Sequence, residues 1–299
     1  MTSTQELERL LAGSPKVIVQ GITGRTGRRH AALMRAYGTN VVGGTSPRAE
    51  TGSVDGIPVF ASCRDAVEKT GATASIAFVP PINTLDAVRE AGDAGLNVVI
   101  TVAEGMPVHD ACKAFEYARS RGLAWIGPST PGLAVPGEFK IGFLPDVCLE
   151  PGPMGVMAKS GTLSYEVCYR LKARGFGQSR WVGVGGESVK GTRFADLVPF
   201  FKNDERTKAL VVIGEIGGSE EEELADRLKS EGFDKPCFAV IAGSRAPQGK
   251  TMGHAGALVH GNSGTFDTKS RRLRDVGVEV FDSLDALTSA VVRRMAGKV

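Results

Sequence analysis

The sequence has few features that are typical of disulfide-bonded, membrane-spanning or nucleic-acid-binding proteins. Its five cysteines among 299 residues are scattered, without a CxxC pair or a Cys/His metal spacing, and they predict reduced thiols in a cytosol-like compartment. No apolar run reaches the roughly 18 residues that a membrane helix needs, so no membrane span is expected. The net charge of +3, without any Lys/Arg run, gives no support to nucleic-acid binding.

The N-terminal residues differ from a signal peptide, because Glu6 and Arg9 lie among the apolar side chains. We therefore expect a cytoplasmic protein, or one in a compartment like the mitochondrial matrix if its source is eukaryotic. Aromatic residues are also scarce, at 6%, whereas glycine is abundant, with 39 residues. A chain of 299 residues suits two domains. Many glycines and few aromatics favour α/β domains with tight loops around small phosphorylated ligands.

The first half opens with a pattern that is typical of phosphate binding. A β-branched run at residues 16–20 predicts a strand, and the glycine-rich residues 21–27 and a helix ending near Tyr37 follow it. Its glycine spacing, G-x-x-G-x-x-G, departs from the dinucleotide-binding G-x-G-x-x-G. The next predicted strand, residues 40–42, is followed by hydroxyl residues and Arg48 where an NAD site has Asp or Glu. This favours a cofactor with an extra ribose phosphate, either NADP or coenzyme A (CoA).

Strand and helix patterns alternate through the rest of the first half, with Asn83 as the predicted cap of a helix over residues 83–94. Repeated βα units predict a parallel sheet that binds ligands at the carboxyl ends of its strands. The other elements expected here are strands at residues 74–79, 98–102 and 123–126 and a helix at 110–121. Loops rich in small residues should therefore converge on one crevice, at residues 21–27, 43–48, 80–81, 102–105 and 127–132.

A proline-rich stretch at residues 132–153 predicts a loop-like linker between two domains, residues 1–131 and residues 154–299. The second half again alternates strands with helices. We therefore expect an α/β fold of two doubly wound domains, an N-terminal Rossmann-like one and a C-terminal flavodoxin-like one. Ser160 or Thr162 can cap the first helix of the second domain. Strands are predicted there at residues 154–158, 181–184, 209–213, 236–242 and 278–281, and helices at 163–174, 223–229 and 283–294.

The stretch at residues 243–264 is rich in glycine and contains His254 in the segment Gly253-His254-Ala255-Gly256. Glycines let the backbone approach a ligand closely, and an imidazole there can act as general base, metal ligand or covalent nucleophile. Residues 249–251 nearly complete a P-loop with Gly243, but five residues instead of four separate the two glycines. We therefore reject a P-loop, and we favour a functional histidine over one that only caps a turn.

Glu215 lies near the end of a neighbouring predicted strand. Its carboxylate can hold one imidazole nitrogen of His254 and leave the other as the nucleophile. An ion pair of Glu215 with Lys250 or Arg245 is the structural alternative. Helix N-termini at the strand ends carry about half a positive charge each, so they would stabilise a doubly charged phosphate on His254.

Taken together, these segments resemble the α subunit of succinyl-CoA synthetase (succinate–CoA ligase) over nearly the whole chain. The matching segments are GITGRTG, YGTNVVGGTSP, GATASIAFVP, TVAEG, SGTLSYE, GFGQS, VIGEIGGSEEEE and GKTMGHAGA. The resemblance implies a ligase in which a nucleoside triphosphate phosphorylates a histidine, a carboxylate accepts the phosphoryl group, and CoA displaces phosphate. It also implies a β subunit whose nucleotide grasp domain binds ATP or GTP with Mg²⁺, in a heterodimer or a heterotetramer.

The resemblance also implies roles for individual residues. His254 matches the phosphorylated histidine and Glu215 the glutamate beside it, so these two are the expected catalytic residues. Tyr165 matches a substrate-contacting tyrosine, and Ser160 and Thr162 in the same segment are further expected substrate contacts. The expected CoA contacts are Thr23, Gly24, Arg25, Thr26, Arg48, Val102, Ala103 and Glu104, and no metal site is expected.

Three departures from the family pattern leave the acid open. Ala49 stands where the family has a lysine, with Arg48 beside it as a substitute, and residues 127–132 and 185–191 also differ. The acid is therefore succinate or another carboxylate such as malate or citrate. An NADP-dependent reductase and a CoA-sensing or scaffold subunit are the alternative functions. The second half offers no hydride-transfer constellation for the first, and the intact histidine loop argues against the second.

Overall fold

The computed structural model describes residues 3–47, 52–247, 253–259 and 264–297. The chain divides into two compact units, and each contains a largely parallel sheet with helices. The first unit comprises Met1–Leu144 and Val189–Thr192, and the second comprises Pro145–Ser188 and Arg193–Val299. The predicted α/β fold class is confirmed.

The first unit alternates strands with helices and ends in a hairpin. Its helices are α1 (Ser3–Ala12), α2 (Arg25–Tyr37), α3 (Cys63–Thr70), α4 (Thr84–Asp93) and α5 (Val108–Arg121), and a 3₁₀ turn spans Pro81–Asn83. Its strands are β1 (Val17–Gln20), β2 (Val41–Thr45), β3 (Gly52–Val54), β4 (Ile57–Phe60), β5 (Ala74–Ala77), β6 (Val98–Thr101), β7 (Ala124–Ile126), β8 (Gly132–Val135) and β9 (Phe139–Gly142).

Seven of these strands form one sheet in the order β3-β4-β2-β1-β5-β6-β7, in which β3 runs antiparallel to β4. Every residue of β1, β5, β6 and β7 is buried, as expected for a parallel sheet that is covered on both faces. Because β1 lies between β2 and β5, the winding of the chain reverses beside it. A doubly wound sheet opens its ligand crevice at such a point, beyond the carboxyl ends of the strands.

The expectation of a loop-like linker at residues 132–153 is wrong for much of its length. Strands β8 and β9 pair as an antiparallel hairpin, with Gly132 opposite Gly142, and the first unit continues to Leu144. Proline suggested a loop, but Pro136 lies in the hairpin turn, where it removes no ladder hydrogen bond. The flanking apolar side chains supply the burial that stabilises the hairpin, namely Leu133, Val135, Phe139 and Ile141.

The second unit is a second series of strands and helices. Its helices are α6 (Gly161–Lys172), α7 (Phe194–Asn203), α8 (Glu220–Glu231), α9 (Phe266–Arg274) and α10 (Leu284–Met295), and a 3₁₀ turn spans Asp146–Cys148. Its strands are β10 (Pro151–Ala158), β11 (Gln178–Gly183), β12 (Ala209–Glu215), β13 (Cys237–Ala242) and β14 (Glu279–Phe281). They are parallel, in the order β14-β13-β12-β10-β11. The reversal of winding lies at β10, between β11 and β12, and this places a crevice at the carboxyl ends of those strands.

Two local predictions in the first unit need correction. The loop predicted at residues 43–48 begins later, because Gly43, Gly44 and Thr45 pair with β1 as part of β2. Asn83 occupies the N-cap position of α4, but its side chain forms no capping hydrogen bond. The 3₁₀ turn at Pro81–Asn83 leads directly into the helix and takes the place of a side-chain cap.

The sequence pattern also missed α1, β3, β4, α3, α7 and α9. Pro199 lies inside α7, and a proline normally argues against a helix interior. Helix α9 is strongly charged, and Lys269 is one of its three buried residues, with Ser270 and Leu273. Among the described residues, no helix has the length and apolar character needed to cross a membrane.

Phe201 on α7 is fully buried, and its ring packs over the backbone of Gly155 in β10. We expect Phe201→Ala to lower the free energy of unfolding of the second unit by about 3–5 kcal/mol, because it leaves a cavity in the core. Tyr169→Ala, at a side chain that is 50% exposed on α6, should change it by about 0.5 kcal/mol or less. Urea unfolding followed by circular dichroism measures both values, and equal losses would contradict this packing.

Candidate active site

The carboxyl end of β1 leads through a glycine-rich turn into α2. Gly24 occupies the N-cap position, and within the described residues no side chain caps this helix end. The N–H groups of the first turn can therefore bind an anion, which the helix dipole also favours. The predicted contacts Thr23, Gly24, Arg25 and Thr26 are all exposed at this turn. The local geometry is that of a phosphate-binding site.

The residues that follow β2 lie beside this glycine-rich turn. The hydroxyl of Thr23 donates to Ser46 Oγ at 2.9 Å. Arg28 on α2 forms two hydrogen bonds with Asp55, at 2.8 and 2.6 Å. These bonds raise the pKa of Arg28 and lower the pKa of Asp55. Arg28 thus ties α2 to the β3–β4 turn, whereas the predicted contact Arg48 lies outside the described residues.

The second set of predicted CoA contacts follows β6 on the same edge of the sheet. Val102 and Ala103 are half-buried and Glu104 is exposed. The N–H of Ser129 donates to the carbonyl oxygen of Ala103 at 3.0 Å, which fixes this loop against the loop that follows β7. Since β1 and β6 run parallel in one sheet, both predicted sets lie at the same carboxyl edge.

In the second unit, Glu215 ends β12 and its side chain meets His254. Oε2 of Glu215 lies 2.7 Å from Nδ1 of His254. The side chain of Glu215 is 8% exposed and that of His254 is 25% exposed, so solvent reaches the imidazole although its partner is nearly buried. Of the two alternative partners for Glu215, Arg245 is exposed on the turn after β13, and Lys250 lies outside the described residues.

The ring of His254 packs directly on the backbone of Gly186, in the loop after β11. A Cβ atom at residue 186 would lie 2.3 Å from Cγ and 2.4 Å from Nδ1 of the imidazole. Main-chain hydrogen bonds close the loop, from Gly256 N–H to Gly186 O at 3.1 Å and from Ala257 N–H to His254 O at 3.0 Å. Glycine at residue 186 is therefore required for the ring to reach Glu215 in this position.

The hydrogen bond determines which nitrogen of His254 can react. An ionised carboxylate only accepts hydrogen bonds, so Nδ1 carries the proton and donates it to Glu215. Nε2 is then the unprotonated nitrogen, with the lone pair of a nucleophile. Positive charge that develops on the ring when Nε2 attacks is stabilised by the carboxylate 2.7 Å from Nδ1. The pair can therefore accept a group at Nε2 and release it again.

Helix α6 begins at the carboxyl end of β10, the strand that pairs with β12. Ser160 caps this helix, since its Oγ accepts from the N–H of Leu163 at 3.3 Å, whereas Thr162 is exposed. Tyr165 is half-buried, with its ring centroid 6.3 Å from that of Trp181. Burial raises the pKa of Tyr165, so the phenol stays neutral at pH 7. The structure thus brings Tyr165 to Trp181 and, as far as the chain is described, not into contact with the His254–Glu215 pair.

Sequence reasoning missed the charged side chains that are buried behind Glu215. Lys159, Glu221 and Lys269 are each 5% exposed or less, and both lysines pair with Glu221. The glutamates that begin α8 were visible in the sequence, but a run of acidic residues is more typical of a solvated helix face. Within the described ranges, no three His, Cys, Asp or Glu side chains are grouped to hold a metal ion.

Two family models match the chain. A CoA binding domain model matches residues 14–105, and a CoA-ligase model matches residues 157–278. The first match contains the glycine-rich turn and the loop after β6. The second match contains Glu215 and His254.

Curated relatives match over most of both chains. Subunit alpha of an ADP-forming succinate–CoA ligase from Aquifex aeolicus is 44% identical over 270 residues, which cover 90% of this chain and 88% of the relative. The corresponding subunit from Staphylococcus epidermidis is 42% identical over 277 residues, which cover 93% and 91%. A solved structure of ATP citrate lyase from Methanothrix soehngenii, in complex with citrate and coenzyme A, matches with a TM-score of 0.84 and 21% identity. That match covers 95% of this chain and 50% of the lyase chain, and it shows a shared fold.

The contact between His254 and Gly186 can be tested by substitution. We expect Gly186→Ala to separate the imidazole from Glu215, because the added methyl group overlaps the ring. Side-chain ¹⁵N NMR of the histidines would then show altered His254 signals. Gly177→Ala is a matched control, since its Cβ would lie 2.3 Å from the Glu150 carbonyl oxygen, at the amino end of β11. It should lower stability without changing those signals, and a normal His254 spectrum in Gly186→Ala would contradict the packing.

Proposed function

Since this chain belongs to the family of succinate–CoA ligase α subunits, we propose that it is the CoA-binding, phosphorylated subunit of a nucleoside-triphosphate-dependent acid–CoA ligase. The observation that carries the proposal is the 2.7 Å contact between Nδ1 of His254 and Oε2 of Glu215. The enzyme joins a carboxylic acid to CoA as a thioester, and it releases a nucleoside diphosphate and inorganic phosphate.

The reaction requires His254 because a carboxylate oxygen is a poor leaving group. First, Nε2 of His254 attacks the terminal phosphorus of the nucleoside triphosphate, and the N–P bond forms as the bond to the diphosphate breaks. A carboxylate oxygen of the acid then attacks this phosphorus, which gives an acyl phosphate and restores the imidazole. Finally, the sulfur of CoA attacks the acyl carbon, the thiol proton is lost, and phosphate leaves with the bonding electrons. Throughout, Glu215 holds the proton on Nδ1.

Helix α6 is the proposed electrostatic support for the phosphorylated histidine. Both α6 and α8 begin beyond the carboxyl ends of paired strands, since Ala158 of β10 lies beside Ile213 of β12. Each helix N-terminus carries about half a positive charge. The first turn of α8 contains four glutamates, which offset that charge, whereas the first turn of α6 has no acidic residue. The N-terminus of α6 is therefore the better site for a phosphoryl dianion.

We assign CoA to the first unit. The uncapped N-terminus of α2 and the exposed Arg25 suit the phosphates of its nucleotide. The loop at residues 102–104 lies along the same edge and supplies the second set of contacts. An NADP-dependent reductase would use the same turn, but it would also need a hydride acceptor site, which the residues of the second unit do not suggest.

The nucleotide is bound by a partner subunit, and the acid is one of several candidate carboxylates. A β subunit with a nucleotide grasp domain binds ATP or GTP with Mg²⁺, and it assembles with this chain as a heterodimer or a heterotetramer. The acid is succinate, which the curated relatives are named for, or another carboxylate such as malate or citrate. A panel of these acids, assayed for thioester formation with the β subunit present, identifies the substrate.

The phosphorylation of His254 is the direct test of the proposed function. With the β subunit and [γ-³²P]ATP or GTP, or with acyl-CoA and [³²P]phosphate, we expect an acid-labile label on this chain. His254→Ala should abolish the label, because it removes the imidazole nitrogen that forms the N–P bond. Glu215→Gln should slow labelling by about 10–100-fold, because an amide does not fix the imidazole proton on Nδ1 as the carboxylate does.

His109→Ala is the matched control, because His109 is an exposed histidine on α5 in the first unit. This variant should be labelled at the rate of the unsubstituted chain. Label that persists in His254→Ala, or label that is lost equally in His109→Ala, would refute the proposed role.

A further inference from the structure

A buried cluster of charges lies behind Glu215, in a part of the unit that the proposed reaction steps do not use. Nζ of Lys159, the residue after β10, lies 2.9 Å from Oε1 and 3.1 Å from Oε2 of Glu221 on α8. It also lies 3.6 Å from Oε2 of Glu220. Lys269 on α9 pairs with Glu221 from another side. Lys159 is 5% exposed, and Lys269 and Glu221 are fully buried.

Such a cluster is a weak source of stability. Removing charges from water costs free energy that their mutual attraction only partly returns, so apolar side chains of similar volume often do as well. The charges here therefore suggest a role beyond holding α8 and α9 on the sheet.

The cluster is bonded to the residue that holds the histidine. Oε1 of Glu221 accepts a hydrogen bond from the N–H of Glu215 at 3.0 Å. A Cβ atom at the preceding residue, Gly214, would lie 2.6 Å from that same oxygen, so a side chain there would displace the carboxylate. Glu221 thus fixes the backbone of Glu215, whose side chain fixes His254.

Lys159 brings a positive charge to these carboxylates. Burial alone lowers the pKa of Lys159, but the attraction of Glu221, Glu220 and Glu215 outweighs burial and raises it. Lys159 is therefore an ammonium ion at neutral pH.

We propose that Lys159 is a positioning residue for the phosphorylation of His254. It anchors Glu221, which holds the backbone of Glu215, and it thereby keeps the Glu215 carboxylate where it accepts the Nδ1 proton and leaves Nε2 as the nucleophile. Without the ammonium, Glu221 would lose this anchor and the carboxylate of Glu215 would shift away from Nδ1, so the imidazole would no longer be held with its proton on Nδ1. The consequence for the reaction rests on the proposed function, whereas the tautomer of His254 is a property of the chain itself.

Side-chain ¹⁵N NMR tests the tautomer without a partner or a substrate. The chain has four histidines, and His254→Ala assigns the signals of interest. We expect the unsubstituted chain at neutral pH to hold His254 with its proton on Nδ1. Lys159→Met should shift the population toward the tautomer protonated at Nε2, and Lys159→Arg should restore it, because arginine retains the charge. Lys159→Gln provides a second neutral variant if the methionine variant does not fold.

The rate at which His254 is phosphorylated can be measured for the same variants, with the β subunit present. We expect Lys159→Met to slow phosphorylation of His254 on the order of tenfold, by analogy with the groups that orient metal-binding histidines through hydrogen bonds. CoA affinity should stay within about twofold, because the CoA turn belongs to the other unit. Lys235→Met is the matched control. Its ammonium bonds the carbonyl oxygens of Phe201 and Asp204 at 2.7 Å each, before the amino end of β13. It should leave both the tautomer and the rate unchanged.

An unaltered His254 tautomer in the folded neutral variants would overturn the proposal, and so would an equal shift in Lys235→Met. An unsubstituted chain that shows the expected tautomer but takes up no phosphate would instead refute the proposed function, and it would leave the positioning of His254 by Lys159 supported.

Discussion

The hydrogen bond between His254 and Glu215 is the interaction on which the proposed chemistry of this chain depends. A carboxylate 2.7 Å from Nδ1 selects one nitrogen of the imidazole as the nucleophile and stabilises the positive charge that the ring gains on attack. Three neighbouring features hold these two side chains in contact. Gly186 makes room for the ring, β12 extends far enough to place Glu215, and Glu221 fixes its backbone.

The two units use one physical principle in different ways. Each is a doubly wound sheet whose carboxyl edge presents helix N-termini, and each such terminus favours an anion. In the first unit, α2 combines an uncapped N-terminus with exposed Arg25 and suits the phosphates of a bound nucleotide. In the second unit, Glu220 and Glu221 in the first turn of α8 pair with buried lysines, whereas the first turn of α6 has no acidic residue and is the end that we propose for a phosphoryl group. The charge of the side chains in the first turn thus determines whether a helix N-terminus favours an anion.

The parts of the fold that follow from local pattern could be predicted from the sequence. These are the alternation of strands and helices, the glycine-rich turn before α2, and the placement of Glu215 beside the histidine loop. The rest depends on tertiary contacts. The hairpin at residues 132–142 has prolines at its turn and flanks, and α7 contains Pro199, so local rules argued against both. In the sequence, Lys159 and Lys269 look like surface lysines, because only the tertiary structure places Glu221 between them.

The most direct test of the proposed chemistry is to identify which nitrogen of His254 carries the phosphorus atom. The chain phosphorylated with its β subunit can be labelled with ¹⁵N in its histidines and examined by ¹⁵N–³¹P correlation NMR. We expect one phosphohistidine, at residue 254, with phosphorus bonded to Nε2 and the proton retained on Nδ1. Phosphorus bonded to Nδ1 would contradict the proposed role of Glu215, because that nitrogen would then have lost its hydrogen bond to Glu215.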